Sequence, residues 1–437
     1  MNRKGSIFFD DPAALAVQSA RSRHLYKGNM NNRTLPLLEP LERRALLAAV
    51  TMDVMLANDG QAPSPFGSDV KIASLQRDGK YRLLLSYKDP NTSGTFVGFR
   101  RLRENGTLDR SFGSKGKLLH HFLEDVEDVI LQPDGKALAI MTTFNAGFQV
   151  ARLNPDATLD TTYGKEGIAK VFVSGPSVST EMLYYGSSAL AQDMSLIVVE
   201  RGKNGLHVRR VLPNGDLDES FGTKSVTRFG DEAAGSGYTP IAIDQQDRIL
   251  IGGDTGTGGF ITRLLPNGKV DGSFGDKGTA TVADRFLTSV AVASDGKIYT
   301  GGGLARRVWR LNNMGSVDSS FAAQDLKTSQ SGIRVIHPLS RGKVMVMLNF
   351  SELVLLNLDG TQDMTFNNTG SRSFSPEEGG GRDFFIDGNG RINLFGGSTA
   401  VARTGQRPAI GVNPAGTLYV TTKDAADSVI LEARMTS

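Results

Sequence analysis

Six aspartates recur along this chain, Asp109, Asp160, Asp218, Asp271, Asp318 and Asp363, at spacings of 45 to 58 residues. Three residues after each stands an aromatic ring: Phe112, Tyr163, Phe221, Phe274, Phe321 and Phe366. Eight residues before five of them stands an arginine: Arg101, Arg152, Arg210, Arg263 and Arg310. The sixth copy has Leu355 there, which leaves Asp363 without such a partner. A carboxylate at a turn can accept the backbone N–H groups of the next two or three residues. A guanidinium fork can brace it by a bidentate ion pair, while the aromatic turns inward between neighbouring units. The repeated chemistry is therefore that of a brace rather than of a reaction.

Other reactive residue types give weaker patterns. The five histidines, His24, His120, His121, His207 and His337, form no HxH or HExxH spacing, so a histidine metal site would need coincidence in space. His120 and His121 are adjacent and, on a strand, face opposite ways. Asn214, Asp216, Asp218 and Glu219, and likewise Asp387 and Asn389, offer closely spaced oxygens to calcium. No run has the twelve-residue loop with its closing glutamate, and turn chemistry explains the same residues more simply. No cofactor is predicted, and calcium is the one ion these turns admit. No GxSxG elbow is present, and GGDTGTGG and EEGGGRD lack the lysine and helix of a phosphate loop. Trp309, the single tryptophan, sits on a strand beside Arg310 and reads as packing between units rather than as a sugar platform.

The elements that must position these residues are short strands. Ahead of each aspartate lies a strand-like run, such as VARL or ITRL, then an NG or DG turn whose residues tolerate positive φ. A second signal alternates with it, an apolar run, a turn and another apolar run, as in VILQPDGKALAIM and VAVASDGKIYTGG. Eight such hairpins can be counted, the last being AIGVNPAGTLYVTT. Each unit reads as a four-stranded antiparallel meander, which cannot bury both faces alone, so neighbours must stack around an axis. The expected fold is all-β: a β-propeller of seven or eight four-stranded antiparallel blades over residues 51–437, preceded by a disordered, basic sorting segment over 1–50. VTMDVML (Val50 to Leu56) is expected to close the ring by pairing near SVILEARM (Ser428 to Met435), since an unclosed ring leaves two free edges.

Composition agrees with this. The 51 glycines among 437 residues exceed the usual ~7% and mark many turns. With no cysteine, disulfides, thiolate zinc sites and cysteine nucleophiles are excluded. The net charge of +3 is uneven, because residues 1–50 carry eight Lys/Arg against four Asp/Glu, leaving the body at −1. A body without a basic stripe argues against nucleic acid as partner. No apolar run approaches the ~20 residues of a membrane-spanning helix, and the chain reads as a monomer.

VARLNPDATLDTTYG and VRRVLPNGDLDESFG, with VILQPDGKALAI, resemble the delta-60 repeat family of β-propeller-like bacterial proteins, over roughly residues 65 to 400. The fifth and sixth copies depart from that pattern, with SSFA and MTFN where glycine is expected after the aromatic. LLEPLERRALLAA (Leu37 to Ala49) is similar to the LEPR-XLL motif of large exported proteins of planctomycetes, and that resemblance implies export to the cell surface or beyond. Two functions fit: a non-catalytic scaffold binding protein or glycan, or a carbohydrate-active hydrolase or lyase with carboxylates around the axis. Two unpaired carboxylates facing each other across the channel mouth would mark the enzyme; a channel lined by small or apolar residues would mark the scaffold.

Overall fold

Alternating apolar runs and tight turns give the chain a repeated meander, and in the computed structural model its strands assemble into seven sheets. The structure describes residues 61–63, 70–75, 81–88, 94–103, 107–143, 147–171, 184–202, 205–229, 239–302, 307–321, 326, 332–349, 351–374, 383–386, 392–396, 399–403, 417–423 and 428–434. The expected sorting segment, its boundary at residue 50, the strand VTMDVML and the pair Asp387 and Asn389 all lie outside them. Helix among the described residues is limited to the 3-10 turns Ser340–Gly342 and Phe366–Asn368.

Blade 2 shows the plan. Its strands Asp125–Leu131, Ala137–Thr143, Gly147–Leu153 and Ile168–Lys170 follow one another antiparallel, in sequence order across the sheet. Blade 3 repeats this with Tyr184–Leu190, Leu196–Gly202, Gly205–Val211 and Thr227–Phe229; blade 4 with Ile241–Ile243, Ile249–Asp254, Gly259–Leu264 and Thr279–Val282. Blade 6 comprises Ile333–Pro338, Val344–Leu348, Glu352–Leu356 and Ser371–Ser373, whereas blade 5 has three described strands, Leu287–Val292, Ile298–Gly302 and Val308–Leu311. Blade 1 holds Val70–Leu75, Tyr81–Lys88, Thr95–Leu102 and Lys117–Phe122.

The core is a series of layers between sheets. Successive side chains on a strand face opposite ways, so each middle strand serves two layers. Ala137, Ala139 and Met141 join Phe99, Val129 and Leu153 in the layer between blades 1 and 2. Leu138 and Ile140 of the same strand join Val198 and Val211 in the layer between blades 2 and 3. The pattern continues with Val199, Val208 and Ile251, with Leu250, Ile261 and Ile298, and with Val308, Ile333, Val346 and Val354. Blades 4 and 6 accordingly bury every residue of their middle strands. In these layers each blade packs against its neighbours, so its stability depends on them.

Closure uses the expected device with different segments. The last sheet runs Asp383–Ile386, Ile392–Gly396 and Thr399–Arg403, and its outer place is taken by Gln61–Pro63 from the N-terminal side. Gln61 pairs with Ala402 and Ala62 with Val401. Ser428–Arg434 instead pairs with Thr417–Lys423, the second run of the eighth hairpin, and meets blade 1 where Ile430 pairs with Leu84. Of the two counts expected, seven sheets are present among the described residues, and Thr417–Lys423 with Ser428–Arg434 joins the first sheet.

Removing residues 1–63 should therefore expose the Thr399–Arg403 edge, lower the thermal midpoint and promote aggregation, whereas removing 1–57 should leave the midpoint near that of the full chain. Equal midpoints for the two truncations would show that Gln61–Pro63 does not hold the ring.

Candidate functional site

The six aspartates build the same corner in blades 1 to 6, where the chain leaves the third strand. Asp160 Oδ1 accepts the backbone N–H of Thr162 at 3.1 Å and its hydroxyl at 2.6 Å. Asp109, Asp218, Asp271, Asp318 and Asp363 do the same with the backbone of Ser111, Ser220, Ser273, Ser320 and Thr365. A serine or threonine two residues on is thus part of the motif. Oδ2 takes the arginine: Arg101 Nε at 2.9 Å, Arg152 Nε at 2.7 Å, Arg263 Nε at 2.8 Å and Arg310 Nε at 2.8 Å. The guanidinium then lies over the ring three residues beyond its aspartate, 4.9 Å from Phe112, 4.5 Å from Tyr163, 4.4 Å from Phe274 and 4.7 Å from Phe321. Such contacts are worth ~0.5–2 kcal/mol each, more where water is excluded.

These groups also reach the next blade. Arg152 Nη1 donates to the Pro213 carbonyl, Arg210 to that of Pro266 at 3.1 Å, Arg263 to that of Asn313 and Arg310 to that of Leu358 at 2.6 Å. In parallel, the corner glycines Gly164, Gly222 and Gly275 donate their N–H to the Asn214, Asn267 and Met314 carbonyls at 2.7 Å. Gly275 holds φ at +56°, which glycine reaches without a Cβ clash. The receiving turn must also be bare, because a Cβ on Gly268 would sit 2.7 Å from the Phe221 ring. Phe221, Phe274, Phe366 and Tyr163 are sealed in these joints, while Phe112 remains half-buried.

Two corners depart from the pattern. Arg210 bonds Asp193 of its own hairpin turn and approaches Asp218 only to 3.7 Å. Asp363, expected to lack a cation because Leu355 replaces arginine, receives Lys343 from the hairpin turn of its blade. Lys136 approaches Asp160 from the same place, at 2.9 Å. The cation at Asp363 thus comes from the turn before the second strand rather than from the third strand, a pairing across 20 residues that the corner spacing cannot reveal. At Asp160 burial raises the pKa, but the hydrogen bonds of Thr162 and Lys136 and the charge of Arg152 outweigh it and hold the carboxyl below its usual range.

Around the axis, polar side chains of the innermost strands tie blades together. Ser188 donates to Asp128 at 3.1 Å, Ser187 to the Thr239 carbonyl, and Thr288 to the Ile333 carbonyl, while Ser289 accepts the Ile336 N–H at 3.1 Å. On the innermost strands of blades 2 to 6 carboxylates stand on one strand alone, as Asp125, Glu127 and Asp128 of blade 2. Glu127 accepts from Thr142 at 3.0 Å, and Asp128 also takes the Val129 N–H. Among the described innermost strands, the other carboxylate is Asp383, the first residue of Asp383–Ile386 in the last sheet.

The remaining candidates also make local contacts. Asn214 and Asp216 bond each other, and Asp218 turns to Ser220. Among the described residues no three His, Asp or Glu side chains converge as metal ligands would. His121 lies against Phe96 and His120 against Phe122, on opposite faces of their strand. His337 meets Phe384 edge-on, and desolvation lowers its pKa to about 4. Trp309 is half-buried against the layer between blades 4 and 5, its indole N–H donating to Asp284 at 2.7 Å.

Sequence reasoning did not single out Glu200, which is fully buried opposite His207, with Arg209 Nε 3.4 Å from Oε2 and no hydrogen-bond partner for Oε1. Burial raises its pKa to about 7, against the opposing pull of Arg209. The alternation on its strand could have flagged it, since Glu200 shares the face of the core residue Val198.

Two predictions follow from these environments. Asp271→Ala leaves the buried Arg263 without its carboxylate and should cost about 3–5 kcal/mol, whereas Asp218→Ala, whose Arg210 keeps Asp193, should cost about 1 kcal/mol, the loss of a cap. Urea unfolding of both variants checks the ranking, and equal losses would refute it. For Glu200 the native chain retains a proton that the unfolded chain loses near the ordinary glutamate pKa of 4.5. Stability should therefore fall as pH rises from about 4.5 to 7 and level off above that. Glu200→Gln should flatten this slope in melting curves taken across the window; an unchanged slope would assign it to other groups.

Comparison with known proteins bears on the repeat. Residues 132–163, 245–274 and 293–321 match a family model described as a domain of unknown function (DUF5122) beta-propeller. Each match runs from a hairpin turn to the corner aromatic. No curated protein sequence matches the chain. Among solved structures, a streptogramin B lyase superposes with a TM-score of 0.51 at 11% identity, over 79% of this chain and 96% of that one. Virginiamycin B lyase from Staphylococcus aureus gives 0.42 at 12% identity, over 70% and 94%, and a protein from Lactobacillus plantarum gives 0.45 at 15%, over 70% and 84%. At such identities the likeness is one of fold. With seven sheets, a repeated corner and a matching repeat model, the chain is built from β-propeller repeats.

Proposed function

We propose that this chain is a non-catalytic β-propeller, exported or held at the cell surface, that serves as a scaffold for binding a protein or glycan ligand. The observation that carries this reading is the engagement of the repeated polar residues. Asp, Arg, Lys and Ser or Thr at the corners bond one another and the next blade's carbonyls, and the axial polar groups tie neighbouring strands. Where every repeated functional group braces the body, variation in the turns and loops is left to recognise a partner. Export is supported by the LLEPLERRALLAA segment ahead of the repeats.

The purified chain, applied to a glycan array and to soluble polysaccharides, should retain ligand without releasing new reducing ends or unsaturated sugars. Product release that is lost in Glu127→Gln would overturn the scaffold reading in favour of a hydrolase or lyase. Protease added to intact cells should cleave the chain, and its full protection would overturn surface display.

A further inference from the structure

The sheet that closes the ring is completed differently from those of blades 1 to 4 and 6. There the outer strand follows its own third strand through the braced corner, as Ile168–Lys170 follows Gly147–Leu153. In the last sheet the outer strand, Gln61–Pro63, belongs by sequence to blade 1 and is held on Thr399–Arg403 by pairing.

That pairing is light. It consists of Gln61 with Ala402, Ala62 with Val401 and Pro63 with Thr399, and the register shifts between the last two. Pro63 has no N–H to give to the ladder. By contrast, Thr279–Val282 lies on Gly259–Leu264 by four pairs in unbroken register and is tied to it through the corner of Asp271. A second segment also bridges the seam. The hairpin of Thr417–Lys423 and Ser428–Arg434 meets blade 1 where Ile430 pairs with Leu84 and lies beside Asp383–Ile386 of the last sheet. Gln61–Pro63 can therefore leave its edge without parting the two blades.

The vacated edge is specific for one occupant. Thr399–Arg403 accepts Gln-Ala-Pro in a defined register, and every other copy of the chain carries the same strand. Whether the edge is filled from within or from another copy is then a matter of concentration. Residues 64–69, SPFGSD, tether the strand to Val70, and so short a tether sets an effective concentration of about 1 mM. Extended, it spans at most ~20 Å. A strand given to another copy thus demands that the receiving edge stand against the donor's own seam, where each copy can give and receive, and the exchange closes as a two-fold dimer.

We propose that the seam between the last sheet and blade 1 is an interaction surface for a second copy of this chain, the Gln61–Pro63 strand of each copy completing the last sheet of the other at Thr399–Arg403. Dilute chains close on themselves, as the monomer read from the sequence; concentrated chains exchange. The inference stands apart from the scaffold reading, since it concerns how bodies join and not what they bind.

The chain has no cysteine, so introduced ones report the pairing. Ala62 and Val401 stand opposite each other, at the ~4.5–5.5 Å of an antiparallel pair, within the ~4.4–6.8 Å that a disulfide bridges. A tagged Ala62→Cys chain and an untagged Val401→Cys chain are mixed, refolded together from urea at about 10 μM and at about 1 mM, and oxidised. The expected result is a covalent heterodimer, its linked peptide identified by mass spectrometry, whose yield rises more than about tenfold between the two concentrations. Lys165→Cys on blade 2, in place of Val401→Cys, should give no such rise. The double variant Ala62→Cys/Val401→Cys, oxidised in dilute solution, should keep the monomer mass in light scattering where the unmodified chain, refolded in parallel, gains dimer. A heterodimer yield no higher than with Lys165→Cys would overturn the proposal, as would a locked chain that dimerises like the unmodified one. An unmodified chain that stays monomeric at about 1 mM would overturn it whatever the variants do.

Discussion

The architecture depends on one side chain acting across two blades. A buried arginine such as Arg263 takes its charge partner, Asp271, from its own corner, stacks on Phe274, and donates an Nη1 N–H to a carbonyl of the next blade. Burying a guanidinium costs several kcal/mol unless its donors are satisfied, and neither blade satisfies them alone. Corner and neighbouring turn are therefore specified together. The aromatic beneath the guanidinium excludes water from the pair, and the aspartate caps the turn that presents the aromatic. Removing any member exposes or orphans the others.

The apolar layers follow the same logic. Each middle strand gives alternate residues to the blade before and the blade after, so its sequence reads as a nearly continuous apolar run. Arginine recurs in these strands where the layer meets the corner, and buried carboxylates enter them at Glu200, Asp254 and Glu352. Blade 3 also places Glu200, His207 and Arg209 in such strands. There burial favours the neutral acid near pH 7, and the layer tolerates a carboxyl that would otherwise be expelled.

Much of this was legible in the residues. The aspartate, the ring three positions later and the arginine eight before define the corner because all three lie within one turn and its flanking strand, where spacing in sequence fixes spacing in space. The hairpins were legible from apolar runs around turn residues, and together these gave the propeller. What stayed hidden depends on contacts between units. Lys343 reaches Asp363 across a whole strand pair, and Arg152 reaches Pro213 across 61 residues. The ring's closing strand, Gln-Ala-Pro at 61–63, is too short to carry any strand pattern and is defined only by Thr399–Arg403 beside it.

The interblade bonds from Arg152, Arg210, Arg263 and Arg310 all point the same way, from one unit to the carbonyl of its successor. Such a chain of joints has polarity, like a row of hooks each catching the eye that follows. A duplicated copy of blade 2, 3 or 4 carries both a hook and an eye, so it can be spliced among these blades with the same joint on either side. Genetic gain or loss of whole repeats is therefore accommodated where the arginine hooks run, from blade 2 to blade 6, while half a repeat is not. Lengthening and shortening of this body should proceed in steps of one unit.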